Sequence, residues 1–297
     1  MARGISVCIP SYNQVRFLKR TLDSIIEQDY KDIEVIITDD SDNNDVELLI
    51  KSYMVNTPVA ISYYHNNPPL GMPQNWNYCI SLASKEWIKI MHHDEWFSEP
   101  SSLTKFIREA EIIGSDFLFS SVNVTNEKTN EKWVLFPSDS QVEEIFQNPE
   151  VLQVANIIGP PSAVFYRKEL YLKYNAEWKY LVDIEFYIRA LKQAGKPARI
   201  TQALISSVSN AGHNVSEQCM KPEIELRENV LLFERNKLNL RGEALKKVKY
   251  LLRGLIIKYR ITRSEQLLKH VPEVKLNLMY KWYLLLSRLY CFLKKRN

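Results

Sequence analysis

Cysteine pairs, long apolar runs and glycine-rich nucleotide loops are all missing from this 297-residue chain. Its four cysteines, Cys8, Cys79, Cys219 and Cys291, lie far apart and form no C-x-x-C spacing. That excludes a disulfide framework and fits buried free thiols in a reducing compartment. No stretch reaches the roughly 18 uncharged residues of a membrane-spanning helix. The nearest approach, residues 276–293, is interrupted by Lys281 and Arg288. No signal-peptide pattern precedes the first apolar run, so a cytoplasmic location is expected. The first apolar run is not followed by G-x-G-x-x-G, which argues against a nicotinamide-type site. There is no Walker A sequence and no G-x-S-x-G, so neither a P-loop nor a nucleophile-elbow hydrolase is indicated. Histidine and cysteine do not recur at zinc-ligand spacing.

What is present is the mix of a globular protein, with hydrophobic residues at 45% and charged residues at 25%. The length suits one large α/β domain with a helical extension, or two small domains. The net charge of +4 hides a division. Residues 241–297 hold 15 Lys/Arg and 3 Asp/Glu, a balance of +12. The remaining 24 Lys/Arg and 32 Asp/Glu give residues 1–240 a balance of −8. A basic tail suggests an anionic partner, either nucleic acid or an anionic membrane face. The acidic body argues against nucleic acid.

Residues 5–9 (ISVCI) read as a strand stopped by Pro10. Phe17, Leu18, Leu22, Ile25 and Ile26 then mark one stripe of a helix. Residues 33–38 are a second strand, 46–53 a second helix, 60–64 a third strand and 75–83 a third helix. Residues 87–91 are a fourth strand. Strand and helix alternating at this spacing predict a parallel sheet with crossover helices. Ligands of such sheets sit at the carboxyl ends of strands. Polar clusters follow three of these four strands: Ser11-Tyr12-Asn13, Asp39–Asp42 and His92–Glu95. Further on, 116–124 and 132–136 read as a hairpin, 162–166 as a strand and 184–193 as a helix. From about residue 220 everything reads helical.

Three of the polar groups carry chemistry. Asp39 and Asp40 can accept hydrogen bonds from a base N–H or a ribose hydroxyl, and would serve equally as a cap for the next helix. The run His92-His93-Asp94-Glu95 suits a divalent cation that takes few protein ligands and completes its shell with phosphate oxygens. A polar strand end with one satisfied histidine is the alternative. Asp183 opens a helix and is either its cap or a general base. Glu185 and Arg189 are spaced as an ordinary i,i+4 pair.

Taken in order, the motifs resemble glycosyltransferase family 2. They are ISVCIPSYN at 5–13, VIITDDSD at 35–42, the Asn/Gly-rich loop and helix start at 67–77, WIKIMHHDE at 87–95 and LVDIEFYIR at 181–189. The resemblance spans roughly residues 5–215. It implies a GT-A fold, a Rossmann-like mostly parallel α/β sheet flanked by helices, over residues 1–218, with a basic helical C-terminal extension over 219–297. It also implies an inverting enzyme that moves a sugar from a nucleoside diphosphate, typically UDP, to a hydroxyl of a glycan or lipid-linked acceptor in bacterial surface-polysaccharide assembly.

Residue by residue, the resemblance puts Pro10, Tyr12 and Asn13 against the nucleotide, with Gly71, Asn75 and His93 completing that pocket. Asp39 would recognise the base and Asp40 would help hold the nucleoside. Asp94 would ligate Mn²⁺ or Mg²⁺ between the phosphates, helped by His92 or Glu95. His213 would close over the diphosphate. Asp183 would be the general base, with Glu185 able to share the role. Two departures stand out: His92 replaces the first Asp of D-x-D, and Val182 stands where an acidic residue often precedes the base. The first motivates an alternative, a catalytically inactive relative that binds nucleotide as a scaffold.

In the tail, Lys281, Arg288 and Lys295 recur every seven residues near Lys294, among Trp282, Leu285, Leu286, Leu289, Phe292 and Leu293. A basic amphipathic helix of this kind suits the plane of an anionic membrane, which adds a peripheral inner-face location to the cytoplasmic expectation. A helix packed on the domain with its charges solvated is the alternative.

Overall fold

A computed structural model of the chain describes residues 4–170, 172–210 and 218–294. They divide into two units: residues 1–142, 157–176 and 189–213, and residues 143–156, 177–188 and 214–297.

The first unit is built on one sheet. Strands β1 (Ile5–Ser11), β2 (Ile33–Asp39), β3 (Ala60–His65) and β4 (Trp87–Ile90) are its parallel half, in the order β3-β2-β1-β4. Between them run helices α1 (Val15–Ile26), α2 (Asp45–Asn56) and α3 (Gln74–Ser81). The other half is mixed. β8 (Val164–Arg167) pairs antiparallel with β4 and with β6 (Phe117–Asn126). β9 (Pro197–Ser209) runs parallel to β6, and β5 (Glu95–Phe97) antiparallel to β9. β7 (Lys132–Leu135) forms the expected hairpin with β6. The parallel arrangement expected from the sequence therefore holds for the first four strands and gives way after β4. Helix α4 (Ser102–Ile113) connects β5 to β6.

β1 is buried along its whole length, as befits a central strand covered on both faces. It does not stop at Pro10, as expected, but continues to Ser11. The carbonyl of Cys8 accepts the N–H of Met91 at 2.9 Å, so Cys8 bonds toward β4. Pro10, two residues on, points the same way, beyond the last β1–β4 pair, Cys8 with Ile90. Its missing N–H therefore costs no ladder bond. The core joins Ile5, Val7 and Ile9 to Val35 and Ile37, to Leu18, Leu22 and Ile25 of α1, and to Leu103 and Phe106 of α4.

The second unit is helical in its C-terminal part, as the sequence indicated. A π-helical turn at Pro222–Leu226 leads into α7 (Arg227–Asn236). Then follow α8 (Gly242–Lys258), α9 (Ser264–His270) and α10 (Leu278–Lys294). Two earlier helices, α5 (Asp139–Gln147) and α6 (Val182–Gln193), straddle the divisions between the units. Buried residues of the second unit include Trp178, Leu226, Val230, Phe233, Val248, Leu252 and Tyr280.

Candidate active site

The register of the parallel strands gathers the first polar groups. Ser11 pairs with Asp39 and Asp39 with His65, so three strand ends stand side by side. The chain leaves β1 through two residues in the left-handed region, Asn13 (φ 55°) and Gln14 (φ 56°), before α1 begins. Asparagine tolerates that conformation better than most residues. Asn13 N–H donates to Ser41 Oγ at 2.7 Å, and Asn43 Nδ2 donates to Asn13 Oδ1 at 3.3 Å, which ties the ends of β1 and β2 together. Pro10 is buried in β1, and Tyr12 presents its ring to solvent, 56% exposed.

The two aspartates do different work. Asp39 is fully buried. Its Oδ1 accepts from Ser41 N–H at 3.0 Å and Ser41 Oγ at 2.6 Å, and its Oδ2 from Tyr63 Oη at 2.8 Å. Burial, reinforced by the Asp39 carboxylate, pushes the Tyr63 hydroxyl above its usual range. Asp40 instead holds the next loop. Its Oδ1 accepts from Asn66 Nδ2 at 2.8 Å and Leu70 N–H at 3.0 Å, and its Oδ2 from Gly71 N–H at 2.8 Å. Gly71 adopts φ +73°, a conformation glycine reaches without strain. Asn75 closes the arrangement: its Nδ2 donates toward the carbonyls of Ser11 (3.3 Å) and Thr38 (3.2 Å), and its Oδ1 accepts from Asn66 at 3.0 Å.

The fourth strand end is held from two sides. Thr21 Oγ1 on α1 lies 2.9 Å from the carbonyl of His93 and 2.7 Å from that of Glu95. Glu95 is buried and turned inward, where its Oε2 accepts His92 N–H at 3.1 Å. Burial, reinforced by the neighbouring Asp94 carboxylate, pushes the Glu95 carboxyl up to about 8. Burial also lowers His92 to about 4, so its imidazole is neutral at physiological pH. The ring lies 4.4 Å from the indole of Trp76, which meets Tyr174 edge-on at 5.0 Å. Asn77 fixes Tyr174 by accepting its N–H (2.8 Å) and donating to its carbonyl (2.7 Å). His93 and Asp94 are half-buried. Below them Lys89 is fully enclosed and bonds the carbonyls of Ser162 and, at 3.3 Å, Val164; burial pushes its ammonium well below the usual range.

Two buried polar atoms at these strand ends, Ser11 Oγ and His92 Nε2, have no hydrogen-bond partner among the described residues. Buried polar groups are usually satisfied, so both suit a polar ligand. Among the described residues no three His, Cys, Asp or Glu side chains are grouped to hold a metal ion. What the strand end does offer is one half-exposed carboxylate, Asp94. That fits a magnesium-type cation bound through one or two carboxylates and the substrate's own phosphates.

The expected base belongs to the second unit. Asp183 stands at the start of α6, where its Oδ1 accepts Ile184 N–H at 2.9 Å and its Oδ2 accepts Asn156 Nδ2 at 3.0 Å. Glu185 is two residues further along the same helix, in its first turn. His213 lies outside the described residues.

Reasoning from the sequence passed over Thr21, Asn66, Trp76, Asn156 and Glu228. Thr21 left a signal: a hydroxyl in the apolar stripe between Leu18 and Leu22 has to find a buried partner. The others left none, because their partners are 9 to 98 residues away.

A model of the family described as Glycosyl transferase family 2 matches residues 6–173. WcaA of Escherichia coli strain K12, whose name provisionally makes it a colanic acid biosynthesis glycosyl transferase, is 26% identical over 204 residues, 67% of this chain and 70% of that protein. Other curated relatives are matched over less of their length, 61% of one and 30% and 29% of two more. Among solved structures, residues 1–349 of TarS from S. aureus in complex with UDP-GlcNAc align with a TM-score of 0.64 at 19% identity, over 94% of this chain and 78% of that one. The mannosyltransferase PcManGT from Pyrobaculum calidifontis, in complex with GDP-Man and Mn²⁺, aligns with a TM-score of 0.55 at 14% identity, over 97% of this chain and 86% of that one. At these identities the two structures speak for the fold: a GT-A α/β sheet with helices at its C-terminal side in sequence, as expected.

Proposed function

Because this chain belongs to glycosyl transferase family 2, we propose that it transfers a sugar from a nucleoside-diphosphate donor, a UDP-sugar, to a hydroxyl of a glycan or lipid-linked acceptor. The reaction proceeds with inversion and serves a bacterial surface polysaccharide. The observation that carries the reading is that the family match covers all four polar strand ends, Ser11–Asn13, Asp39–Ser41, His65–Asn66 and His92–Glu95. The UDP-GlcNAc complex of TarS and the colanic acid assignment of WcaA support the donor class and the pathway type.

In this reading the exposed ring of Tyr12 lies against the base, with Pro10 and Asn13 beside it. Asp39 reads the base with a lone pair that Ser41 and Tyr63 leave free. Asp40 holds the nucleoside side through the 66–71 loop it orders, with Gly71 and Asn75 as the loop's anchors. His93 and Asp94 face the diphosphate, and Asp94, with His92 beside it, would hold Mn²⁺ or Mg²⁺ there, while Glu95 stays turned inward behind them. When bound, the cation stabilises the negative charge that develops on the departing diphosphate. His213 closes over the same group.

Asp183 takes the proton of the acceptor hydroxyl. The oxygen then attacks the anomeric carbon, the C1–O bond to the diphosphate breaks, and UDP leaves with the electron pair. A hydroxyl is a weak nucleophile until a carboxylate relieves it of its proton. Glu185 is the second carboxylate available for that role.

The acceptor side engages a membrane. Among the described residues no helix is long and apolar enough to cross one. Helix α10, however, turns Leu278, Trp282, Leu285, Leu289 and Phe292 outward, at intervals of four, three, four and three residues. Lys281, Arg288 and Lys294 are exposed on the same helix, while Tyr280, Tyr283, Leu284 and Ser287 are its buried face. Lys295 lies outside the described residues. An apolar stripe flanked by cations suits the interface of an anionic bilayer and supports a peripheral position on the inner face of the cytoplasmic membrane.

Thermal unfolding against a panel of nucleoside diphosphates and nucleotide sugars, with and without Mn²⁺, tests the reading, since a ligand of the folded state raises the melting point. A rise with UDP and Mn²⁺ that Asp94→Ala abolishes supports the donor site. Replacement of the first D-x-D aspartate by His92 favours a second reading, an inactive nucleotide-binding scaffold. A rise with UDP but no UDP release from any UDP-sugar would select it.

A further inference from the structure

The start of α6 is held by a carboxylate that comes from far along the chain. Glu228 on α7 is 3% exposed. Its Oε1 accepts Lys179 N–H at 2.8 Å, and its Oε2 accepts the N–H groups of Tyr180 and Leu181 at 2.9 Å each. Three consecutive backbone donors converge on one side chain. They belong to the residues that lead into α6, where backbone N–H groups lack intrahelical partners and negative charge is favoured. Only a carboxylate accepts at both atoms without bringing a donor of its own; glutamine in its place would set an amide N–H₂ against a backbone N–H. Glu228 is itself seated, since its neighbour Asn229 donates to the carbonyl of Glu225 at 2.8 Å and accepts from Gln153.

Asp183 is two residues past Leu181, the last of these anchored positions. With Lys179–Leu181 fixed, the direction in which Asp183 leaves the backbone is fixed too. Its carboxylate is then steered by Asn156, whose Nδ2 donates to Oδ2 at 3.0 Å. We propose that Glu228 and Asn156 are the positioning residues of the general base: Glu228 sets the backbone that carries Asp183, and Asn156 orients its carboxylate. The C-terminal helical segment thereby supplies part of the catalytic apparatus. The inference rests on the reading of Asp183 as the base. The physical reason is tolerance: a displacement of about 1 Å at a reacting group costs on the order of 100-fold in rate.

The test measures UDP release from a mixture of UDP-glucose, UDP-galactose, UDP-GlcNAc and UDP-GalNAc with Mn²⁺, water serving as acceptor. Glu228→Gln is expected to lower kcat by about 10–100-fold, and Asn156→Ala by about 3–10-fold. The donor KM and the UDP-induced rise in melting point stay as in the unmodified chain. In an Asp183→Asn background either substitution adds little, because residues acting through one group are not additive. A folded Glu228→Gln chain with undiminished kcat overturns the inference, as does a loss that multiplies fully onto that of Asp183→Asn. Should Glu228→Gln fail to fold, Asn156→Ala, an exposed position, decides by the same two criteria. An Asp183→Asn chain that keeps its activity, or no UDP release by the unmodified chain, removes the base reading itself and the inference with it.

Discussion

Asp40 shows how one residue joins fold and site. Its two oxygens accept three donors from the 66–71 loop, and the carboxylate itself is buried. Asp40→Asn keeps the shape but turns an N–H₂ toward one of those donors. We expect a loss of about 2–3 kcal/mol in stability, the usual cost of losing hydrogen bonds to a buried charged group. Weaker binding of UDP should accompany it, readable by urea unfolding and by calorimetry. An unchanged unfolding midpoint would show that the loop does not depend on this carboxylate. Glu34 gives a pH signature. Burial raises its carboxyl, but hydrogen bonds from Ser6, Ser84 and the Lys85 N–H outweigh burial and hold it below the usual carboxylate range. A depressed folded value contributes stability above the ordinary value near 4.5 and loses it as pH falls through the folded value. Glu34→Gln should therefore flatten the acid limb of the melting temperature against pH and leave the neutral region parallel to the unmodified chain.

At the scale of elements, the loop at 66–71 and helix α10 make opposite demands. The loop needs one left-handed residue, and a Cβ added at Gly71 would meet nothing within 4 Å. Gly71→Ala should therefore cost only the backbone strain, about 1 kcal/mol, and a larger loss would point to a ligand or chain approaching that Cα. Helix α10 needs a surface for its outer stripe. Leu285→Glu with Leu289→Glu, both on the exposed face, should leave the melting temperature within about 1 °C. The same pair should abolish co-flotation with phosphatidylglycerol vesicles at low salt. Equal flotation of the variant, or equal binding to neutral phosphatidylcholine vesicles, would contradict the anionic-membrane reading. Elements were the level at which the sequence spoke most clearly. The stripe of Leu18, Leu22 and Ile25 and the apolar run of β2 announced themselves by period, because burial acts on one face at a time. Pro10 misled because its cost depends on which neighbour its nitrogen faces, a matter of sheet order rather than of local preference.

At the scale of the molecule, charge and connectivity matter most. The +12 of residues 241–297 against the −8 of the remainder makes binding to an anionic surface strongly salt-dependent, since screening weakens exposed charges beyond about 8 Å at physiological ionic strength. Vesicle binding should fall steeply between about 50 and 300 mM salt. Connectivity argues against treating residues 219–297 as detachable. A chain ending at residue 218 would strand the N–H groups of Lys179, Tyr180 and Leu181 without Glu228. We expect such a chain to be insoluble or to melt without cooperativity, and a soluble, cooperatively melting product would refute this.

The sequence by itself determined the alternation of strands and helices, the polar residues that end three strands, the helical character of the C-terminal part and the family those motifs resemble. These are local: a period, a spacing or a short motif is written within one stretch of chain. Tertiary structure alone decided that Asp40 grips the 66–71 loop, that Glu95 turns inward while Asp94 remains half-exposed, that Trp76 packs tilted against His92, and that Glu228 holds the approach to Asp183. Each depends on which distant groups reach hydrogen-bonding or packing distance, and that is set by the order and register of the sheet and by the packing of helices rather than by any residue's own preference.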